Sequence, residues 1–351
     1  MHMEDIHLER ISRALSQKLN EEVALVSIEK IGRGYHAEGF KATARDGRDF
    51  FIKRISSVVQ GFEYPERKVA SLMVGHGMAK RANRRPLPVG VFTETNGVLE
   101  AIPDISQNTV VYHVQEFEPE GKAYAELLGE RESKTKIDEQ DRLEIENITD
   151  HIVQVHQIRH PSSDSAELCQ VYNDGLRAEM VHPEVTMPFL HEFESDHPLI
   201  PPERQGEYLT LLLQMIHTWK NRSDRLCALH GDFWGGNVFL RQDSSVWVID
   251  YSRIPWGDPG VDVGKWMSYY LWYFYKTGNS YYRDLGDLFL ETYIQKTGDE
   301  EVRQSMCLGF AFAGVLYSML DFFPEVDIDV RKKMFTQVCS IIKNNRFSWG
   351  V

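Results

Sequence analysis

A short segment, LHGDFWGGNVFL at 229–240, places several polar side chains among apolar ones. His230 precedes Asp232 by two positions, Asn237 follows Asp232 by five, and Asp250 ends an apolar run thirteen residues after Asn237. In phosphoryl transfer, one carboxylate accepts the proton of the substrate hydroxyl, while an amide oxygen and a second carboxylate hold Mg²⁺ against nucleotide phosphates. These residue types at this spacing therefore predict a phosphoryl-transfer site.

A glycine hairpin and a lysine upstream complete this pattern. Gly32, Gly34 and Gly39 lie in a strand-turn-strand pattern, and Lys53 lies inside the apolar strand after the next turn. Glycines let backbone N–H groups approach phosphates, and the strand holds the lysine where its ammonium group meets the α- and β-phosphates. A lone G-x-G is weak evidence, but the ordered series of hairpin, lysine, H-x-D-x4-N and later aspartate is specific. The series predicts a nucleotide as the phosphoryl donor and Mg²⁺ as its metal, and it does not distinguish ATP from GTP.

The elements that must position these residues fall into two parts. An amphipathic helix at about 4–20 opens the first part, and an Asp-Gly turn at 45–48 joins its second and third strands. Pro65 begins a helix over about 65–79. The predicted strands are 22–32, 39–46, 48–56, 86–94, 97–102 and 109–117. The first part therefore reads as a small sheet with one main helix, over 1–117.

Helical periodicity dominates the second part, 118–351. Ile145, Ile148, Ile152 and Val155 mark one face of a helix that stops before Pro161. Further helices are predicted over about 203–221, 262–277, 280–296, 300–320 and 328–344. Only 237–250 reads as strands, and it connects the opening segment to Asp250.

The sequence resembles the aminoglycoside phosphotransferase and choline kinase-like small-molecule kinases, which are relatives of the protein kinases. The resemblance rests on HGDFWGGNVF, VIDYSRIPWGDPGVDVGKW, the lysine strand DGRDFFIK and the hinge-like VQEFEPEG. It extends in matching order from about residue 29 to residue 270. It implies an α+β, protein kinase-like two-lobed fold, with a small antiparallel-sheet N-lobe, a mostly helical C-lobe and ATP bound between them.

The resemblance also implies a role for each residue of the catalytic segment. Asp232 is the expected catalytic base, and Asn237 and Asp250 are the expected Mg²⁺ ligands. His230 is grouped with the catalytic residues in a supporting role, bracing the loop, because a histidine after an apolar run is more often a hydrogen-bonded core residue.

Nucleotide-binding roles carry over in the same way. Lys53 is the expected phosphate lysine, with Glu66 as its favoured ion-pair partner and Glu63 as the competitor. Glu116 and Phe117 are expected to offer backbone groups to the adenine ring. Gly32 and Gly34 are the expected cofactor-binding glycines, although Gly34 and Gly39 are more widely spaced than in a full G-x-G-x-x-G.

The acceptor class stays open at this point. Tyr251 and Ser252 replace the Phe-Gly of protein kinases, which disfavours a protein substrate. WGGN at 234–237 resembles fructosamine kinases, whereas the downstream DPGVD matches the aminoglycoside and choline type. Candidate acceptors are an amino sugar, a choline-like amine, a homoserine-like amino acid and a ketosamine. The alternative function is a catalytically silent, nucleotide-binding pseudokinase with a structural or regulatory role.

Two aspartates and one polar segment near the motif are expected to have structural roles rather than catalytic or metal-binding ones. Asp262 is expected to cap a helix beginning near Val263, and the resemblance implies a structural aspartate near the catalytic loop at this position. Asp258 is expected to form a Gly-Asp-Pro-Gly turn. The segment 182–198 is rich in histidines and acids, but its spacings fit no metal site, so a solvated loop near the substrate entrance is expected.

Aromatic residues near the motif have two possible roles. Trp234, Trp256 and Tyr251 either line the acceptor pocket, where they would suit a cationic or sugar substrate, or simply pack. Both interpretations stay open.

Composition limits the possible partners and location. The net charge of −13 argues against general nucleic-acid binding, which needs a basic face. No signal peptide is evident, and the apolar run 307–320 is shorter than the roughly 20 residues of a membrane span. The four cysteines are widely separated, which fits reduced thiols. We expect a cytoplasmic protein with a small-molecule acceptor and no nucleic-acid or membrane partner; the sequence does not indicate the oligomeric state.

Overall fold

The computed structural model describes residues 8–33, 38–55, 69, 72–73, 88–95, 98–100, 110–116, 121–186, 188–191, 193–251, 254–319 and 326–350. The chain divides into two compact units. The N-terminal unit is Met1–Gly121 together with Tyr251–Arg253, and the C-terminal unit is Lys122–Asp250 together with Ile254–Val351. The division of nucleotide binding and substrate binding at residue 117 stays a prediction.

One antiparallel sheet forms most of the described N-terminal unit. Its strand order is β1-β2-β3-β6-β4-β5. The elements are α1 (Leu8–Leu19), β1 (Leu25–Arg33), β2 (Glu38–Ala44), β3 (Asp49–Ile55), β4 (Pro88–Thr95), β5 (Val98–Glu100) and β6 (Val110–Glu116). The predicted turn between β2 and β3 contains Gly47 at a φ of +86°, which glycine adopts without steric cost.

The alternation of buried and less buried side chains along β2 and β3 decides which face of the sheet Lys53 occupies. Phe40 and Ala42 in β2, and Phe50 and Ile52 in β3, belong to the core that the sheet shares with α1. Successive side chains of a strand point to opposite faces. Lys53 follows Ile52 and therefore projects from the face opposite this core.

The helix predicted over 65–79 lies mostly outside the described residues. Val69, Leu72 and Met73 are helical, and Val69 and Leu72 are buried. Val69 and Leu72 therefore face a core, whereas Met73, which shares their helical spacing, is 41% exposed and does not.

Helices dominate the C-terminal unit. They are α2 (Tyr124–Glu130), α3 (Glu139–His156), α4 (Ser165–Met180), α5 (Pro183–Thr186), α6 (Pro188–His191), α7 (Pro202–Trp219), α8 (Gly260–Thr277), α9 (Ser280–Thr297), α10 (Val302–Ser305), α11 (Cys307–Leu316) and α12 (Ile328–Asn344). Five short strands accompany them: β7 (Lys122–Ala123), β8 (Cys227–Ala228), β9 (Val238–Leu240), β10 (Val246–Val248) and β11 (Trp256–Gly257). Among these described helices, none combines the length and the apolar character needed to cross a membrane.

Three expectations about this unit are wrong. Strand structure is not confined to 237–250, because β7 joins the β9–β10 hairpin and β8 pairs with β11. The single helix expected over 300–320 is divided into α10 and α11. The segment 182–198 is not a solvated loop: it forms α5 and α6, and His197 is buried where its Nδ1 accepts a hydrogen bond from the N–H of Ile200 at 3.1 Å.

Helix α8 is the central element of the C-terminal unit, and its residues 260–268 are all buried. Two glycines let it approach α11 closely. A Cβ on Gly264 would lie 2.0 Å from the carbonyl oxygen of Met306, and one on Gly309 would lie 2.3 Å from a backbone oxygen of α8. This close packing holds the N-terminal half of α8 in place, and that half contacts the segment that carries Asp232.

Candidate active site

The candidate catalytic loop, residues 229–237, connects β8 to β9. Gly231 in this loop has a φ of +81°, and a Cβ there would lie 2.6 Å from the backbone nitrogen of Ile254. Only glycine fits both the backbone conformation and the contact. The turn that leads into Asp232 therefore depends on the absence of a side chain at Gly231.

The ring of His230 connects the catalytic loop to the backbone segment that precedes Asp250. Its Nδ1 accepts a hydrogen bond from the N–H of Asp232 at 3.1 Å, and its Nε2 donates to the carbonyl oxygen of Ile249 at 2.9 Å. Burial lowers the pKa of His230, and the carboxylates of Asp262, Asp232 and Asp250 oppose this lowering without reversing it. The ring is therefore neutral and braces the loop, because backbone groups occupy both of its nitrogens.

Asn237 contacts Asp232 directly. Its Nδ2 donates to the main-chain oxygen of Asp232 at 2.9 Å and to the carboxylate Oδ2 at 3.1 Å. Both partners are acceptors, so the amide must present its nitrogen to them, and its oxygen faces the other way. An oriented amide oxygen beside a carboxylate is a suitable donor set for Mg²⁺.

Asp250 lies two residues after the end of β10 and directly after Ile249, whose backbone hydrogen-bonds to the loop through both its N–H and its carbonyl group. The N–H of Ile249 donates to the main-chain oxygen of Asn237 at 3.0 Å, and the carbonyl of Ile249 accepts from His230. Asp250 itself has a φ of +67°, which is unusual for a residue with a side chain. Such strain often accompanies functional positions. These hydrogen bonds bring the backbones of Asp232, Asn237 and Asp250 together in the C-terminal unit.

Asp262 holds the backbone of the catalytic loop, so the expectation of a helix cap is wrong, and the structural role that the resemblance implies is the one observed. It lies in the first turn of α8, whose N-cap, Pro259, makes no side-chain capping bond. Its carboxylate accepts from the N–H of His230 at 2.7 Å, from the N–H of Gly231 at 2.8 Å and from Nε2 of His156 at 3.2 Å. Burial by itself raises the pKa of Asp262, but the hydrogen bond from His156 and nearby positive charge lower it, and the net pKa lies below its usual range.

His156 was not singled out in the sequence analysis. It is the last residue of α3, and its Nδ1 shares a hydrogen bond with the hydroxyl of Tyr293 at 2.8 Å. Helical periodicity marks such a histidine only as part of a buried face. Its contact with Asp262 is visible in the tertiary structure alone.

Asp258 has the turn role that was expected, with an additional ion pair. Its Oδ1 accepts from the N–H of Gly260 at 2.8 Å, and its Oδ2 accepts from Nε of Arg225 at 2.7 Å. The hydroxyl of Tyr172 also donates to Oδ2, at 3.0 Å. Asp258 therefore stabilises the start of α8.

The three aromatic candidates lie in different surroundings. Trp234 is 40% exposed, and its ring meets Tyr269 edge-on at 5.7 Å between centroids. A Cβ on Gly236 would lie 2.3 Å from the indole, so that glycine lets the ring lie over the loop. Trp256 packs edge-on against His160 at 4.9 Å, whereas Tyr251 belongs to the N-terminal unit. Trp234 is the aromatic candidate beside Asp232 that remains accessible to solvent.

The predicted phosphate-binding residues form a separate group in the N-terminal unit. Gly32 of β1 pairs with Gly39 of β2, and Gly39 pairs with Lys53 of β3. The three residues therefore lie in one row across neighbouring strands, beside an irregularity in register between Lys30 and Gly32. A bulge of this kind opens backbone groups for other contacts.

Of the remaining residues predicted to bind nucleotide, Glu116 is the one that the described part of the chain includes. Glu116 is the last residue of β6, and its backbone pairs with Phe50. Gly34, Glu63, Glu66 and Phe117 lie outside the described residues. Their roles stay predictions.

The chain belongs to the phosphotransferase enzyme family named APH, whose model matches residues 27–307. The predicted family resemblance is therefore confirmed. No curated protein matches the chain significantly.

Solved structures confirm the predicted two-lobed fold. Amicoumacin kinase hAmiN, in complex with AMP-PNP, Ca²⁺ and Ami, is similar with a TM-score of 0.53 at 13% identity, over 90% of this chain and 88% of that one. A Plasmodium vivax ethanolamine kinase has a TM-score of 0.56 at 11% identity, over 92% and 84%. A putative fructosamine-3-kinase from Haemophilus somnus has a TM-score of 0.53 at 13% identity, over 94% and 97%.

Proposed function

We propose that the protein transfers the γ-phosphoryl group of ATP, with Mg²⁺, to a hydroxyl group of a small molecule. The observation that carries this proposal is the contact between the Asn237 amide and the Asp232 carboxylate, next to the strand end that presents Asp250. Membership of the phosphotransferase family gives the reaction class. The ATP and Mg²⁺ dependence and the roles of the individual residues are part of the proposal.

Asp232 is the proposed base. Its carboxylate orients the acceptor hydroxyl and accepts its proton as the oxygen bonds to the γ-phosphorus and the bond to the leaving ADP breaks. The main chain of Asp232 is held by His230 and its side chain by Asn237, so the carboxylate is positioned before substrate arrives. Such preorganisation reduces the reorganisation needed in the transition state.

Asn237 and Asp250 are the proposed metal ligands. The amide oxygen of Asn237 is directed away from Asp232, and both residues supply the oxygen donors that Mg²⁺ prefers. No set of three or more His, Cys, Asp or Glu side chains suited to a metal occurs in the described part of the chain. Two protein ligands are nevertheless sufficient where phosphates and water complete the coordination shell. When bound, the ion neutralises charge on the phosphates.

The row of Gly32, Gly39 and Lys53 supports phosphate binding by the N-terminal unit. A Cβ on Gly32 would meet open space, which leaves the backbone of β1 accessible there, and Lys53 projects from the face of the sheet opposite the core. An ammonium group held in this way matches the α- and β-phosphates. Adenine recognition is assigned to the backbone at Glu116 and Phe117, where β6 ends.

The proposed acceptor is a small hydroxyl compound that carries an amine or a sugar. The structural neighbours are named for amicoumacin, ethanolamine and fructosamine, and a negative net charge is compatible with a cationic acceptor. The exposed indole of Trp234, two residues after Asp232, offers a face for such a ligand.

The test is turnover by the wild-type protein and by Asp232→Asn. ADP release is measured with ATP and Mg²⁺ against a panel of amino sugars, amino alcohols and ketosamines, and nucleotide binding is measured by thermal shift. We expect Asp232→Asn to abolish acceptor-dependent turnover and to retain the ATP-induced shift. Asp243→Asn, in an exposed turn, is the matched control and is expected to behave as wild type.

Two results would contradict the proposal. Native turnover in Asp232→Asn would remove the assigned base. Saturable ATP binding without turnover on any acceptor would favour the pseudokinase alternative.

A further inference from the structure

Lys265 is a buried cation that the sequence analysis did not assign to any role. It lies on α8 one turn after Asp262, and only 5% of its surface is exposed. Its Nζ donates to the carbonyl oxygen of Gly231 at 2.7 Å and to Oε2 of Glu179 at 2.9 Å. Glu179, on α4, is equally buried. Burying a lysine is costly unless it is paired and hydrogen-bonded, so this position needs a physical reason.

The hydrogen bond to Gly231 acts on the peptide unit that leads directly into Asp232. The oxygen of this unit is held by Lys265, and its N–H, which belongs to Asp232, is held by Nδ1 of His230 at 3.1 Å. The preceding N–H, that of Gly231, is held by Asp262. Three side chains therefore fix two successive peptide planes, at a glycine whose backbone has unusual freedom.

Lys265 and Asp262, both on α8, form hydrogen bonds to the backbone of this segment. Positions i and i+3 lie on one face of a helix, so the carboxylate and the ammonium group reach neighbouring main-chain groups of the loop. Asp262 accepts from N–H groups, and Lys265 donates to a carbonyl. The two contacts are chemically complementary, and neither can replace the other.

We propose that Lys265 is a positioning residue for the catalytic base, and that Glu179 serves to neutralise its buried charge. The lysine sets the plane of the Gly231–Asp232 peptide and thereby the direction in which the Asp232 carboxylate projects. This proposal rests on the proposed function, in which Asp232 orients the acceptor hydroxyl. A purely structural ion pair would contribute to folding without any specific effect on the loop.

A double variant separates these two roles. Lys265→Met alone leaves the carboxylate of Glu179 buried without its ammonium partner, so it is expected to be destabilised. Lys265→Met combined with Glu179→Gln removes both charges and is expected to recover much of the stability, while the carbonyl of Gly231 still lacks its donor. Glu179→Gln alone retains the contact between Lys265 and Gly231.

Two measurements are made on each variant. Hydrogen–deuterium exchange is followed in peptides that cover residues 229–233. Turnover is measured as ATP hydrolysis with Mg²⁺, in which water is the acceptor, and then with any acceptor that the panel identifies. Lys276→Met is the matched control because Lys276 lies on the same helix and forms an exposed ion pair with Glu132 at 2.9 Å.

The double variant is expected to melt closer to the wild-type temperature than Lys265→Met does and to exchange faster at 229–233. It is also expected to lose roughly 10- to 100-fold in kcat, since small displacements of a catalytic group have effects of this size. Its KM for ATP is expected to stay unchanged. Glu179→Gln and Lys276→Met are expected to retain wild-type exchange in this segment.

Native exchange at 229–233 in the stable double variant would overturn the proposal, whether or not the protein has measurable turnover. Faster exchange with an undiminished kcat would also overturn it, because the loop would then have moved without affecting the base. If wild type and Asp232→Asn hydrolyse ATP equally, the proposed function fails, while the exchange data still decide whether Lys265 holds the loop.

Discussion

Replacing Asp262 by asparagine tests whether one buried carboxylate organises the candidate catalytic loop. Asp262 accepts three hydrogen bonds, from the N–H groups of His230 and Gly231 and from Nε2 of His156. Asparagine has nearly the same shape, so the substitution creates no cavity. It replaces one of the two acceptor oxygens with a donor, and the remaining oxygen is uncharged.

The size of the effect follows from these contacts. If the amide oxygen occupies the position of Oδ2, it still accepts from His230 and His156, and the amide nitrogen faces the N–H of Gly231. An unsatisfied buried donor costs about 1–3 kcal/mol. Loss of the charge weakens the other two hydrogen bonds by about 1 kcal/mol each. The expected loss of about 3–5 kcal/mol is a large part of the about 5–15 kcal/mol that typically stabilises a folded protein.

The free energy of unfolding is measured in urea, and hydrogen exchange reports on the peptide 229–233. We expect the urea midpoint to fall and exchange in this loop peptide to accelerate more than exchange in α8. Asp243→Asn is the control because Asp243 accepts the N–H of Ser245 in an exposed turn, and its midpoint is expected to match wild type. A loss of less than about 1 kcal/mol with native exchange at Gly231 would refute the assigned role of Asp262.

Three further predictions concern the same loop. Trp234→Ala is expected to raise the KM for the acceptor and to leave the KM for ATP unchanged, as checked by steady-state kinetics; a raised KM for ATP alone would contradict an acceptor role. Gly231→Ala is expected to lower the free energy of unfolding by more than about 1–2 kcal/mol, because alanine pays that cost for the left-handed backbone and its Cβ would also clash with Ile254. An unchanged urea midpoint would show that the loop can adapt. His230 has a lowered pKa in the folded state, so below about pH 6.5 the unfolded chain binds a proton that the native protein does not. Stability is therefore lost as the pH falls, by up to about 1.4 kcal/mol per unit, and His230→Gln is expected to reduce this slope between pH 6.5 and 5.5 in urea titrations; equal slopes would indicate that another group titrates.

Local patterns predicted the N-terminal sheet well because its strands have clear alternation and turn signals. β1, β2 and β3 lie within or close to the predicted segments, and the turn at Gly47 occurs where the Asp-Gly pair is placed. The kinase-like fold and the family were also recognised from ordered motifs and are confirmed. The site roles of Asp232, Asn237, Asp250 and Lys53 stay predictions.

The errors have a common physical cause, which is dependence on distant contacts. Asp262 carries the local signature of a cap, yet its carboxylate accepts from main-chain groups about thirty positions earlier in the chain. The strands β7, β8 and β11 are two residues long and exist only through pairing with remote segments. The error over 182–198 is the exception, because the buried His197 accepts hydrogen bonds from the nearby N–H groups of Leu199 and Ile200.

The sequence by itself indicated the reaction class, through the spacing of its histidine, aspartate and asparagine residues. It also determined the order of a sheet followed by helices, through the periodicity of its apolar residues. These properties depend on neighbouring residues and can be read along the chain. The bracing role of His230 was expected from the sequence, but only the tertiary structure showed which backbone groups its ring contacts, how Asp262 of α8 holds the loop, and that Lys265 is buried against Gly231. A buried polar group is stable only when its partners are present, and those partners are brought to it by folding from elsewhere in the chain.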